Sequence, residues 1–263
     1  MRLDDDYANA PYIEDSASYP DRWAKNAESF RSTLCAAGRA RLGVMYGHGP
    51  RNALDLFMPL GRAQGLLVFV HGGYWLKFDR SYWSHLAQGA LDQGWAVAMP
   101  SYDLCPRVRI SDITRQIADA ITVAAHDVTG PVILSGHSAG GHLVSRMLEY
   151  NMLPDDVFQR LRHVVPISAV SDLRPLLETS MNKDFGLSPQ DAADESPVLM
   201  PKPGVPVTVW VGADERPAFL EQSKWLSAAW GAPLVIEPGT HHFDVIEGLA
   251  DGDSRMVRTV LQI

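Results

Sequence analysis

Residues 136–140 read Gly-His-Ser-Ala-Gly, a serine with glycines two positions before it and two after. A serine hydroxyl becomes a useful nucleophile when a base takes its proton. It also needs presentation, and glycines at both flanks permit the sharp strand-to-helix turn that lifts a serine above a sheet edge. The five-residue match is weak alone. Here the apolar run Val132-Ile133-Leu134 precedes it and a helical stripe of Leu143, Val144, Met147 and Leu148 follows. That context makes Ser138 the candidate nucleophile. The positive end of the following helix favours the negative charge that develops there.

Attack on a carbonyl creates an oxyanion, and one well-aimed N–H donor is worth about 10²–10³ in rate. His71-Gly72-Gly73-Tyr74-Trp75 follows another apolar run, Leu66 to Val70. Consecutive glycines let the backbone approach the oxygen closely, so the N–H groups of Gly72, Gly73 and Ala139 are the expected oxyanion hole. His71 reads as a residue that braces this loop. The base should come last in the order serine, acid, histidine. His241 and His242 follow the apolar stretch 234–236, and one of them is expected to be the base. The acid should follow the run 205–211, where Asp214 and Glu215 are adjacent. Neighbouring loop residues point in different directions, so only one can orient the histidine. Metal chemistry finds no support in the spacing: His137 and His142 are five apart, off the one-face spacing of a helical pair. Gly-His-Ser-Ala-Gly-Gly also lacks the Lys-Ser/Thr ending of a phosphate loop. No cofactor is called for.

Positioning these groups requires a sheet. Short apolar runs occur at 66–70, 95–99, 131–134, 163–167, 205–211 and 234–236, as for strands covered on both faces. Helical patterns lie at 111–126, with Ser111 placed to cap, and at 139–150, 217–230 and 243–262. Strands alternating with helices predict an α/β fold with a mostly parallel central sheet and helices on both faces. Two strands are expected earlier, at 41–46 and 52–58, after a helix near 21–37. Residues 1–40 read as an N-terminal helical or lid segment. Residues 171–204, rich in Pro, Ser and Asp, read as a small lid insertion.

A length of 263 residues is within reach of one core, so a single domain over 1–263 is expected. Hydrophobic residues are 46% and charged residues 21% of the chain, which excludes disordered and coiled-coil classes. The net charge of −8 and the lack of a basic tract argue against nucleic acid as partner. A small-molecule acyl amide or ester fits better, and a homodimer stays open. Cys35 and Cys105 are two cysteines only, expected as buried free thiols. No apolar run reaches the ~18 residues of a membrane span, and the start is not a secretory signal. A cytoplasmic location with no membrane partner is the expectation.

Three stretches resemble the arylformamidase (kynurenine formamidase) branch of the α/β-hydrolases, close to the hormone-sensitive-lipase-like carboxylesterases. They are His71 to Trp75; Tyr102 to Pro106 running into Ile110 to Thr114; and Ser135 to Leu143. A fourth, His242 to Glu247, is similar to the family's segment around its catalytic histidine. The resemblance implies His242 as base, because the family's histidine immediately precedes Phe. It implies Glu215 as acid, four residues before Phe219. Animal members carry Asp there, so Asp214 stays an alternative. The implied reaction is hydrolysis of an aryl formamide through an acyl-enzyme. Tyr74 and Trp75, and also Trp83, become candidates for holding the aryl group. Lys77, Arg80, Arg107, Arg109 and Arg216 become candidates for a substrate carboxylate. A carboxylesterase or thioesterase of small acyl groups shares the same machinery, and a non-catalytic small-molecule receptor is the alternative of another class.

Overall fold

The structure is a computed structural model that describes residues 3–263. Its frame is one eight-stranded sheet. In chain order the strands are β1 Ala40–Met45, β2 Ala53–Phe57, β3 Leu66–Val70, β4 Ala96–Pro100, β5 Val132–His137, β6 Leu161–Ile167, β7 Val209–Gly212 and β8 Leu234–Glu237. In space they run β1-β2-β4-β3-β5-β6-β7-β8. The pairs β1–β2 and β2–β4 are antiparallel, and every pair from β4 to β8 is parallel. The helices are α1 Tyr19–Ala36, α2 Gln88–Asp92, α3 Ile110–Asp127, α4 Ala139–Arg146, α5 Asp155–Phe158, α6 Asn182–Phe185, α7 Pro189–Asp194, α8 Pro217–Trp230 and α9 Arg255–Leu261.

The period of two along each strand sends alternate side chains to opposite faces. Leu66, Val68 and Val70 of β3 join Ile113, Ile117 and Ile121 of α3 in one core. Leu67 and Phe69 face the other way, toward Trp23 of α1 and Val257 and Val260 of α9. Both faces are therefore apolar, which is why these strands read as unbroken hydrophobic runs. The chain passes from β3 outward to β4, then returns through α3 to β5 on the other side of β3. At such a reversal the loops leaving the two strands diverge and open a crevice at their carboxyl ends.

Several expectations are corrected. α3 begins at Ile110, and Ser111 lies inside its first turn; Asp112 does the capping, its Oδ2 accepting the Arg109 N–H at 3.0 Å. The helix expected over 243–262 is two pieces, a 3₁₀ turn Glu247–Ala250 and α9. The break falls at Asp251-Gly252-Asp253, and α9 restarts where Ser254 Oγ accepts the Val257 N–H at 3.0 Å. β7 starts only at Val209, because Pro206 has no N–H to give and Val207 keeps a single bridge to Val164. Both cysteines are free, but Cys35 is exposed; only Cys105 is buried. No helix among the described residues is long and apolar enough to cross a membrane.

Candidate active site

Ser138 sits between the end of β5 and the first turn of α4, at φ 55° and ψ −115°. A non-glycine residue held there stores on the order of 1–3 kcal/mol. Its surroundings enforce the turn. The Ser138 N–H donates to Ile167 O at 2.8 Å, tying the elbow to the end of β6. A Cβ on Gly140 would lie 1.9 Å from Val70 O, so only glycine lets α4 start this close to β3. A Cβ on Gly72 would come within 3.1 Å of Ser138 Cβ, so the loop after β3 lies directly against the elbow. Neither the Gly72 nor the Gly73 N–H is taken by a backbone acceptor among the described residues. Ala139 is the first residue of α4, where a helical N–H has no partner within the helix. Gly72 and Gly73 line the same cleft as Ser138, and Ala139 directly follows it.

The structure brings His242 and Glu215 together. His242 Nδ1 lies 2.6 Å from Glu215 Oε2, and both side chains are buried. Glu215 Oε1 accepts from the Gly212 N–H at 3.0 Å and from Ser168 Oγ. The carboxylate is thus held at both oxygens, with its imidazole side fixed. Ser168, at the end of β6, has no sequence signal that marks it for this role. Asp214 is exposed, and its N–H bonds Thr240 O at 2.9 Å. His241 lies apart from the pair, 3.1 Å from both Tyr19 Oη and Asp244 Oδ1.

His242 packs between two rings, Phe219 at 4.3 Å and His137 at 4.6 Å between centroids. Burial holds His137 well below the usual imidazole range, and the neighbouring His242 pushes the same way. His137 is therefore a neutral wall. Burial likewise lowers His71 to about 4. Its ring stacks on Tyr102 at 4.4 Å, and Nδ1 lies 2.7 Å from Gly72 O, so it braces the loop.

The two aryl-binding candidates part ways. Tyr74 lines the cleft, but its hydroxyl donates to Tyr7 O and accepts from Asn9 Nδ2, both at 2.8 Å. Trp75 is a correction: it is 1% exposed, edge-on to His142 and Phe185 in the core, and does not line the cleft. Spacing alone cannot tell a core aromatic from a cleft aromatic. Trp83 does line it, together with Trp23, Phe78 and Phe243, which the sequence did not flag. The cleft measures about 470 Å³ and opens over Ser138, His137 and His242. Its roof is mostly the segment 4–23, whereas 171–204 gives only Ser180 and Met181. The latter segment instead packs Leu173, Leu176 and Phe185 into the core. Its Glu195 binds Thr114 Oγ1 at 2.8 Å and Arg146 Nε at 3.3 Å.

Of the five cations considered for a substrate carboxylate, Lys77 alone lines the cleft. Arg80 is paired with Asp55 at 2.7 Å, Arg216 with Asp5 at 2.8 Å, and Arg109 holds the Phe185 carbonyl at 3.0 Å. Arg107 is exposed outside the cleft. No group of three His, Cys, Asp or Glu among the described residues could hold a metal ion.

Residues 67–251 match the alpha/beta hydrolase family. A kynurenine formamidase of Salmo salar is 29% identical over 240 residues, covering 84% of this chain and 81% of that protein. A crystal structure from Silicibacter sp. TM1040, of a protein with a provisional thioesterase assignment, is 58% identical and superposes with a TM-score of 0.97 over 99% of both chains. An esterase of Pyrobaculum calidifontis shares the fold at 16% identity, with a TM-score of 0.70 over 97% of this chain and 92% of that one.

Proposed function

The chain belongs to the alpha/beta hydrolase family, and from that premise we propose that it is a serine hydrolase removing a short acyl group from an aromatic amine, in the manner of an arylformamidase. The carrying observation is the strained Ser138 at the floor of an aromatic cleft that also holds His242, itself 2.6 Å from Glu215. His242 Nε2 takes the Ser138 hydroxyl proton as Oγ attacks the acyl carbon. The oxyanion rests on the N–H groups of Gly72, Gly73 and Ala139. His242 returns the proton to the departing amine nitrogen, leaving an acyl-enzyme. Water then enters, His242 takes its proton, and the acid is released as Oγ regains a hydrogen. Glu215 stays ionised and holds the ring so that Nε2 is the free nitrogen. Trp23, Phe78, Trp83 and Phe243 give the leaving aryl group an apolar bed.

The second reading is hydrolysis of small acyl esters or thioesters, favoured by the 58% identity to the Silicibacter protein. A kinetic panel separates the two: N-formyl-kynurenine, an acetyl ester and an acetyl thioester on the purified protein. The formamidase reading expects the formamide to show the highest kcat/KM. Fast ester or thioester cleavage without deformylation overturns it in favour of the second. Labelling by a fluorophosphonate is expected at Ser138 and lost in Ser138→Ala; unchanged labelling removes the nucleophile assignment.

A further inference from the structure

Gly73 is followed by two aromatic residues in the left-handed region, Tyr74 at φ 56° and Trp75 at φ 57°. For bulky side chains this region is an outlier, and it persists only where the surroundings over-determine it. What the two residues build is a tight turn. The Leu76 and Lys77 N–H groups both donate to Gly73 O, at 2.9 and 3.0 Å. The turn thus fixes the peptide plane that joins Gly73 to Tyr74. Any relaxation at Tyr74 is felt first by the two glycines before it.

The two aromatics are held from opposite sides. Trp75 is sunk in the core, and its carbonyl accepts from Cys105 N–H at 2.9 Å. Tyr74 is held from the roof. Its hydroxyl donates to Tyr7 O and accepts from Asn9 Nδ2, both at 2.8 Å. The roof is firm at this point without Tyr74. Tyr7 is buried edge-on to Phe219, and Gln222 Nε2 donates to its hydroxyl at 2.8 Å. The Tyr74 phenol therefore lines the cleft while its donor and one acceptor position are spent on the roof.

We propose that Tyr74 is a positioning residue whose hydroxyl ties the strained turn to the roof and so keeps the Gly72 and Gly73 N–H groups aimed at the oxyanion. The inference rests on the serine-hydrolase reading and goes beyond it, to what aims the donors. The Tyr7 acceptor is main chain, so the contact asks for the path of the roof rather than for one side chain at position 7.

Steady-state hydrolysis of a chromogenic acetyl ester and of its thionoester analogue tests this, with circular dichroism as the folding check. Removing one oxyanion donor outright costs about 10²–10³ in rate, so loosening the pair in Tyr74→Phe should lower ester kcat about ten- to a hundredfold. KM should stay within twofold. The acid limb of the pH profile should not move, because His242 and Glu215 are untouched. A thiocarbonyl sulfur is a weak acceptor and gains little from the same donors, so thionoester turnover should fall less than threefold. Asn9→Ala removes one of the two bonds and should lower ester kcat about threefold. Tyr12→Phe cuts a roof bond to Asp5 away from this turn and should keep kcat within twofold. Ester kcat above half of the unaltered value in Tyr74→Phe overturns the proposal. So does a loss carried by KM alone, an equal loss on both esters, or an equal loss in Tyr12→Phe. If the unaltered protein neither cleaves the ester nor is labelled at Ser138, the hydrolase reading fails and this inference fails with it. An active enzyme indifferent to Tyr74→Phe overturns the positioning role alone.

Discussion

Replacing Glu215 by Gln changes one atom and sets two hydrogen-bond patterns against each other. In the native site Oε1 accepts from Gly212 N–H at 3.0 Å and from Ser168 Oγ, while Oε2 faces His242 Nδ1 at 2.6 Å. A glutamine can keep its oxygen on the first pair, and its NH₂ then faces His242. Nδ1 must become the acceptor, the imidazole proton moves to Nε2, and the base can no longer take a proton from Ser138. The flipped amide would serve His242 but set NH₂ against the Gly212 N–H. One buried donor left unmatched costs roughly 1–3 kcal/mol, so the unproductive tautomer dominates by about ten- to a hundredfold. Loss of the negative charge that stabilises the imidazolium adds to this. Removing the equivalent charge in a serine triad lowers kcat by about 10⁴, or roughly 5 kcal/mol of barrier. Glu215→Gln is therefore expected to lose on the order of 10⁴ in kcat at neutral pH with its fold intact. Steady-state hydrolysis of a chromogenic acetyl ester, with circular dichroism as the folding check, reads the effect. Retention of more than a tenth of wild-type kcat refutes the reasoning. So does an Asp214→Asn variant that loses as much, because that carboxylate is exposed.

Other outcomes follow from the same geometry. His242→Ala should remove at least about 10⁴ of kcat, whereas His241→Ala, which gives up contacts to Tyr19 and Asp244, should keep at least a tenth; the reverse order reassigns the base. Trp75→Ala should cost about 3–5 kcal/mol of stability by denaturant unfolding, because it empties a core site between His142 and Phe185; a loss below 1 kcal/mol would place the ring elsewhere. Acid should destabilise the fold well above the carboxylate range. Burial lowers His71 from 6.5 to about 4 and His142 from 6.5 to about 3, and it holds His137 well below 6.5. Below 6.5 the unfolded chain binds these protons and the folded one does not, so stability falls as pH falls, with a slope that rises toward roughly 4 kcal/mol per unit for the three near pH 5. Unfolding midpoints at pH 7 and pH 5 test this, and equal midpoints contradict it.

The strands were legible because burial on two faces leaves unbroken apolar runs, as at Leu66–Val70. The elbow was legible because close approach excludes a Cβ at Gly140, and that need is written as glycine. Glu215 and His242 needed more than spacing. Asp214 and His241 are equally good chemically, and the order of the motifs alone left both pairs open. Direction of the side chains separates them: Glu215 turns inward to Gly212 and Ser168 while Asp214 stays in solvent. Residues 1–40 read as a helical or lid segment, but the contacts that hold the roof were not legible. Asn9 meets Tyr74 across 65 residues of chain, and no local pattern encodes such a meeting. Trp75 was misplaced for the related reason that a ring's sequence neighbours do not say which side of the loop it enters. The expected last helix failed at Asp251-Gly252-Asp253, where turn-forming residues outweigh the apolar period.

The division between a ceiling drawn mostly from positions 4–23 and reactive groups drawn from strand ends has an evolutionary consequence. That part of the cleft wall and the reactive groups occupy different stretches of the gene, so drift in the one need not disturb the other. A combinatorial library confined to positions 7–20, screened against acyl amides and esters in parallel, is then the shortest route to redirecting this scaffold.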